Sequence, residues 1–447
     1  MSRIPNLLKV ILALSAFVAL GTLVVLVLGS QARPPAPPST PGARTPVAQV
    51  TSTPPPYPPP GSPTPPGPPA TPTSAPTPIP RCTFAATPAS AGPGPSLDAY
   101  VFSEPRLVLT HTAAIEIAGW LPDGESLLIA RGIAGTPRQT IETFNVRTGE
   151  MRRYAERHSS SSKPVWLAAQ QAVAFVDATV TEGRAWWSLR LSHGEKQPVA
   201  TLHTRLAFPD LAADPTGQQV SVLASDQGTR PVIVDVARQT SRTLDAQLPE
   251  AASTFEQAYH LAWSPRGKWL VCYSQVGFYL IEVATGQVCE ADLGGQQYAP
   301  GKRWALDAQW SPDERYLAML TTTRKLLPAD FIDLTLIDTY TGEQRYFRLG
   351  LGSIYDIAWA PNSHHLLAVA RVGTNEKGIN LHGLYILDAA TGKTRQLLTD
   401  QQFIGTGSWG VAWSPTGQTL ALVRLTLMPT EPTIAESQLC IVSVEVR

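Results

Sequence analysis

Several things that would narrow function are scarce or missing in this chain. Lysine plus arginine and aspartate plus glutamate stand at 35 each among 447 residues, so the formal net charge is zero. No cluster of basic residues breaks that balance, which argues against a nucleic-acid partner. Cysteine occurs four times, with no spaced His/Cys/carboxylate set of the kind that holds zinc. No Gly-x-Ser-x-Gly elbow and no glycine-rich phosphate loop ahead of a helix is found. Ser408, in Gly-Thr-Gly-Ser-Trp-Gly, has the wrong spacing for an elbow. The eight histidines are scattered, and His364-His365 falls in a hairpin turn. No cofactor is implied, and an enzyme is the less favoured class.

One long uncharged run is present, from Val10 to Gly29, after a start that carries Arg3 and Lys9. Twenty residues at ~1.5 Å each span roughly the ~30 Å hydrocarbon core of a bilayer. The expectation is a short cytoplasmic N-terminus at 1–9 and a transmembrane signal-anchor at 10–30, with the rest of the chain extracytoplasmic. Cleavage at Ser30-Gln-Ala32 is the competing outcome. The stretch 31–104 reads as a disordered linker, with 21 prolines between Arg33 and Pro80. Such composition buries too little to offset ordering entropy, and its polyproline II bias makes it a stiff spacer.

Residues 105–447 are organised by a repeat. Leu261-Ala-Trp-Ser-Pro-Arg-Gly-Lys-Trp-Leu-Val-Cys-Tyr273 reads as an inner strand, a tight turn and a second strand. Proline fixes φ early in the turn and glycine supplies positive φ late in it. Copies recur at Trp120-Leu-Pro-Asp-Gly124, Trp166-Leu-Ala-Ala-Gln170, Ala213-Asp-Pro-Thr-Gly217, Trp310-Ser-Pro-Asp-Glu314, Trp359-Ala-Pro-Asn-Ser363 and Trp413-Ser-Pro-Thr-Gly417. Between them lies a second motif, an acid-bearing strand end and a Thr-Gly turn, as in Ile337-Asp-Thr-Tyr-Thr-Gly-Glu343. Seven units of four short strands, spaced 46 to 54 residues apart, predict a seven-bladed β-propeller. The orphan strand Arg106-Leu-Val-Leu-Thr110 is expected to pair with Leu439–Val446 and complete the last blade, hiding an open edge.

The Trp-Ser-Pro-Asp-Gly-type hairpin followed by an Asp-x-x-Thr-Gly turn resembles the WD-repeat-like propeller repeat of the TolB family. The resemblance covers roughly residues 105–447 and implies the fold. Propellers of this kind serve as interaction platforms, sensors and enzyme domains, so it implies little about activity. Seven units fit better than six, and an anchor with a proline stalk stands where TolB has a further N-terminal domain.

Aligning the units places Asp210, His260, Asp307 and Asp356 three positions before the tryptophan-equivalent residue, where the inner strand begins at one mouth of the channel. Four such side chains suit a cation or cationic group; alternatively, each acid caps its own loop-to-strand turn. Tyr259, Tyr355 and Trp409, with Trp304, fall near the same face, as do the loops 177–184, 321–330, 371–382 and 425–438. Loops on a rigid scaffold are where binding concentrates. The expected function is a monomeric, single-pass, extracytoplasmic binding or scaffold module for a protein or glycan partner. The alternative is an enzyme acting on polysaccharide or peptide at the channel mouth. Among the cysteines, Cys272 and Cys289 are separated by one strand and too far apart to bridge, at about 9–10 Å. A Cys82–Cys440 bridge is within reach, and a free Cys82 is the other possibility.

Overall fold

The computed structural model describes residues 79–82 and 94–447, apart from 159–161, 182–183, 195–199, 225–229, 245–247, 249–259, 274–276, 292–303, 323–331, 375–379, 399–409 and 428–433. The expected anchor and most of the expected linker lie outside these residues, and no helix among the described residues is long and apolar enough to cross a membrane.

The described chain is a seven-bladed β-propeller. Blade 1 is the antiparallel sheet Ile115–Trp120, Ser126–Gly132, Arg138–Asn145, Met151–His158, each strand paired with the next. Blades 4, 5 and 6 repeat this order, with inner strands His260–Trp263, Trp304–Trp310 and Ile354–Trp359. Blades 2 and 3 share the continuous strand Ala200–Ala213. Its first part is the outer strand of blade 2 and its end is the inner strand of blade 3, with register shifts between. Blade 7 starts at Val411–Trp413 and ends in the long strand Ile434–Val446.

A single four-stranded sheet cannot bury both its faces, and the apolar residues show how stacking solves this. Each of the seven apolar clusters draws on two adjacent blades. One joins blades 5 and 6 through Leu336 and Leu366, and another joins blades 7 and 1 through Leu439 and Ile129. The others fill the remaining five interfaces, so the ring is closed. Inter-blade hydrogen bonds follow the same circuit. The indole of Trp120 donates to Ala412 O at 3.2 Å, that of Trp359 to Gln309 O at 3.1 Å, and that of Trp263 to Ser221 Oγ at 2.8 Å.

The hairpin turns obey the expected chemistry, including where the glycine is gone. Gly124, Gly217, Gly267 and Gly417 have φ between 66° and 76°. Glu314 and Ser363 hold the corresponding left-handed position, at φ 65° and 63°, and in the blade 2 turn a left-handed residue falls one place later, at Gln171, φ 50°. A side chain there costs about 1–2 kcal/mol relative to glycine. Two of the three gain a contact to the preceding blade: Glu314 Oε1 accepts the Arg266 N–H at 2.6 Å, and Ser363 Oγ accepts that of Asp313 at 3.0 Å.

Closure is more extensive than the sequence predicts. Arg106–His111 pairs with Ser437–Ile441, and Tyr100–Phe102 pairs with Val444–Val446, both antiparallel on the one long strand. Tyr100 is 4% exposed, wedged against His365 and Trp413. Residues 100–102 therefore belong to the propeller although the sequence reading assigned them to the linker. Three residues with two aromatics are too short to stand out from low-complexity surroundings.

A second correction concerns the cysteines. Cys82 bridges Cys289, with Cα atoms 4.8 Å apart, while Cys272 and Cys440 are buried thiols that take no part in a disulfide. Residues 79–82 run beside the outer strand of blade 4 and join it through an isolated parallel bridge, Arg81 to Glu290. The Glu290 N–H donates to Pro80 O at 2.9 Å and the Cys82 N–H to Glu290 O at 3.0 Å. Ile79 packs on the cluster between blades 3 and 4, which gives this segment an apolar anchor. Cys440 is not available to it, being flanked in its sheet by Leu107 on one strand and Leu422 on the other. As expected, Cys272 and Cys289 sit on strands separated by a third, Cys272 opposite Tyr279 and Cys289 opposite Leu280.

Candidate functional site

Inner strands of all seven blades converge on a central channel that holds a cavity of about 440 Å³. Lining it are Ile117, Lys163, Asp210, His260 and Asp307, each three positions before its unit's tryptophan-equivalent residue. The sequence reading found the last three and missed Lys163. The signal was present, since Lys163 stands three residues before Trp166, but that unit lacks the turn proline and was left out of the comparison.

Asp210 and His260 form a pair, with Asp210 Oδ2 3.3 Å from His260 Nδ1 and accepting the Leu261 N–H at 2.9 Å. Asp307 Oδ1 accepts the Ala308 N–H at 2.8 Å and the Tyr273 hydroxyl at 3.3 Å. The rings of His260 and Tyr273 lie 5.3 Å apart, completing a carboxylate–imidazole–phenol–carboxylate arc along the wall. Burial pulls the His260 imidazole down, but Asp210 beside it, with Asp307 behind, outweighs this and raises it above its ordinary value. Burial, reinforced by Asp307 and Asp210, holds the Tyr273 phenol well above its usual range.

Asp356 does not line the cavity. It is 1% exposed and occupied by backbone: Oδ1 accepts the Ile357 N–H, and Oδ2 accepts those of Gly410 and Val411 in the next blade, at 2.9, 2.6 and 2.8 Å. Of the three acids and one histidine picked out together, Asp356 is thus wholly taken up by backbone capping, tying blade 6 to blade 7. Burial pushes its carboxyl up to about 7, with Asp307 adding to the rise and Lys163 and the Val411 and Gly410 N–H groups opposing it. Lys163 acts also on Glu116, whose carboxyl burial raises and which accepts from Gln139 at 2.9 Å. Behind them Arg157, 0% exposed, donates to Ser162 O and Gln139 Oε1. Tyr355 stands edge-on to His382 with centroids 4.6 Å apart, away from the cavity. Tyr259 and Trp409 lie outside the described residues, as does a part of each expected long loop.

The mouth belongs to the face where inner strands begin. Part of that face is well built around blades 5 and 6. Gly350, at φ 54°, passes so close to the Arg371 carbonyl that a Cβ would sit 2.1 Å from its oxygen, and Leu351 next to it is 56% exposed. On the same face the hairpins between second and third strands differ in length. Those of blades 2 and 6 run Ala172–Thr181/Arg184–Ser192 and His365–Thr374/Asn380–Asp388, whereas blade 4 has only Trp269–Tyr273/Phe278–Glu282.

No family model matches the chain, and no curated protein matches it. Solved structures of similar fold include the β-propeller domain of Cps50 (Swd1) from Myceliophteria thermophila. It is 13% identical, at TM-score 0.47, over 75% of this chain and 99% of that one. An oligogalacturonate lyase from Vibrio parahaemolyticus is 11% identical at TM-score 0.49, over 76% and 91%. TolB from Acinetobacter baumannii is 14% identical at TM-score 0.37, over 69% and 78%. These are likenesses of fold. The blade order makes this a seven-bladed β-propeller, the fold those proteins share.

Proposed function

We propose that the chain is a membrane-anchored binding module whose propeller stands outside the cytoplasm and takes a protein or glycan partner on the channel-mouth face. The observation that carries this reading is the asymmetry of the ring. On one face the Trp-Ser-Pro and Thr-Gly turns are short, alike and bonded to their neighbours. On the other, hairpins of blades 2 and 6 run four or five residues per strand beyond that of blade 4, a difference in height of roughly 15 Å at ~3.3 Å per residue. A rigid ring carrying relief on one face suits recognition of a shaped partner.

The Cys82–Cys289 bridge supports an oxidising, extracytoplasmic setting. It also clamps the end of the stiff proline-rich stretch to blade 4, so the stalk positions the ring instead of trailing from it. The enzyme reading retains one supporting feature, the Asp210–His260 pair in the cavity wall. Affinity capture from a detergent extract, with the full chain as bait, separates the two. A stoichiometric partner lost with Leu351→Arg and kept with Thr391→Arg on the opposite face supports the binding module. Turnover of a glycan or peptide library that His260→Ala abolishes would overturn it in favour of the enzyme.

A further inference from the structure

His365 begins the second strand of blade 6 and is 0% exposed, its ring packed against Tyr100 of the closing strand. The Asn362 side chain decides how that ring is protonated. Its Oδ1 accepts the His364 N–H at 3.0 Å, so its Nδ2, which can only donate, faces the other way. That Nδ2 donates to the Tyr100 hydroxyl oxygen and lies 3.3 Å from His365 Nδ1. The Tyr100 O–H, 3.0 Å from the same Nδ1, is left to donate to it. Two donors thus converge on Nδ1, which must be an acceptor, and the neutral ring carries its proton on Nε2. A proton at Nδ1 would meet the Asn362 N–H head-on and turn the Tyr100 O–H away from the acceptor it now has.

What His365 holds is the segment that completes the seam. Gly94 passes so close to His364 that a Cβ would sit 2.6 Å from its ring, and Leu97 and Phe102 pack with Tyr100 on the cluster that contains Trp413. Ala99 O accepts the Arg447 N–H at 2.9 Å, and the Ser103 N–H donates to Ser443 O at 3.0 Å. Arg106–His111 pairs separately with Ser437–Ile441, so residues 94–103 can leave without opening the ring. Burial, with His364 beside it, holds the His365 imidazole below its ordinary value, against Asp388 and the Pro95 backbone. Tyr100, whose phenol burial raises, keeps its proton throughout. The remaining charged groups here are Arg395, which donates to Tyr100 O, and the exposed Asp98, 3.9 Å from Arg395.

We infer that His365 is a proton-operated latch: a proton at Nδ1 releases residues 94–103 from blades 6 and 7 while the blades themselves stay folded. Release uncovers Trp413 and the outer edge of Val444–Val446, both covered by this segment when it is docked. Once the segment has left, the ring returns to an ordinary value near ~6.5. The docked value is lower, so the open form takes up the proton first. Docking is complete above ~6.5 and is lost as pH falls toward the docked value, by up to about tenfold per pH unit. His260, which is raised, acts on global unfolding in the opposite sense, so the readout must be local. The latch is separate from whatever binds at the channel mouth.

The test is amide hydrogen exchange of the full chain in detergent, read by mass spectrometry from pH 4 to 8 and corrected for the intrinsic pH dependence of exchange. Expected in the peptide containing Ala99–Ser103 is protection that is constant above about pH 7 and falls below it, by up to about tenfold per pH unit. The peptide containing Leu127–Ala130 in blade 1 should keep its protection. In His365→Asn, whose Oδ1 replaces Nδ1 as an acceptor that takes up no proton, the fall should disappear. Tyr100→Phe removes one of the two donors and should make the total fall smaller. His364→Gln should keep the fall, which separates the buried ring from its neighbour. The inference is overturned by protection that does not change with pH, by a fall that survives His365→Asn or vanishes in His364→Gln, or by an equal fall in blade 1. If His365→Asn does not fold, Tyr100→Phe decides, and an undiminished fall in that variant overturns the inference.

Discussion

Removing the side chain of Tyr100 should break the ring at its seam. Tyr100 lies in the three-residue strand that caps the end of Ile434–Val446, outside the span first assigned to the propeller. Its ring is edge-on to His365 at 4.9 Å and to Trp413 at 6.0 Å, and its hydroxyl is 3.0 Å from His365 Nδ1 with Asn362 also donating to it. Its carbonyl accepts from Arg395 at 2.7 Å, so this residue adds to the contacts that hold blade 6 to blade 7. Replacing a buried aromatic by alanine costs about 3–5 kcal/mol, and the hydroxyl contact alone about 1 kcal/mol. Tyr100→Ala should therefore lower the urea midpoint by about 1–1.5 M if m is near 3 kcal/mol per M, and Tyr100→Phe by a third of that or less. A chain begun at Ala114, lacking both closing strands, should lose cooperative unfolding or aggregate, because Ile434–Val446 then presents an open edge. If Tyr100→Ala unfolds within 1 kcal/mol of the parent, or the Ala114 chain melts like it, the closure described here does not hold the ring together.

Non-reducing peptide mapping should yield a Cys82–Cys289 linked peptide and unmodified Cys272 and Cys440; any Cys82–Cys440 species would contradict the placing of residues 79–82 beside blade 4. Glu314→Gly should be more stable than Glu314→Ala by about 1–2 kcal/mol, since both lose the contact to Arg266 and only alanine keeps the left-handed cost; the reverse order in chemical denaturation would refute the turn geometry. Asp356 has a folded pKa of about 7, above the ~3.9 of an unfolded aspartate, so the folded state holds the extra proton between these values. Its contribution to stability is full at acid pH and is lost as pH rises through 7, at no more than ~1.4 kcal/mol per pH unit. The raised His260 acts in the same sense, lost as pH rises through its own folded value. Denaturation at pH 5 and pH 8 should show this decline, and Asp356→Asn should flatten it.

The blades were legible because their signals are local and repeated. The proline and glycine of the turn, the Thr-Gly pair and the strand-length apolar runs each act over a few residues, and seven copies average out the degenerate ones. The channel was partly legible for the same reason, through the offset from the tryptophan. What the offset could not show is which way a carboxylate is spent. Asp210 and Asp356 occupy equivalent positions and both accept backbone N–H groups of the next blade, yet Asp210 also lines the cavity beside His260, whereas both Asp356 oxygens are taken up by backbone. That difference lies in contacts between residues about fifty positions apart. The placing of Cys82 was hidden likewise, because four residues joined to a blade by a single bridge in a proline-rich stretch have no periodicity to read. Its partner was decided by the outer strand of blade 4 and the apolar pocket under Ile79, neither of which is encoded near Cys82.

The central claim, an outward-facing propeller that binds through its channel-mouth face, is tested most directly by photocrosslinking in intact cells. A photoreactive side chain would replace Leu351, exposed on that face, or Thr391, in a Thr-Gly turn on the opposite one. The account predicts a discrete crosslinked partner from position 351, none from position 391, and labelling of both positions by a membrane-impermeant reagent added outside the cell. Equal crosslinking from the two faces, or protection of both from that reagent, would contradict it.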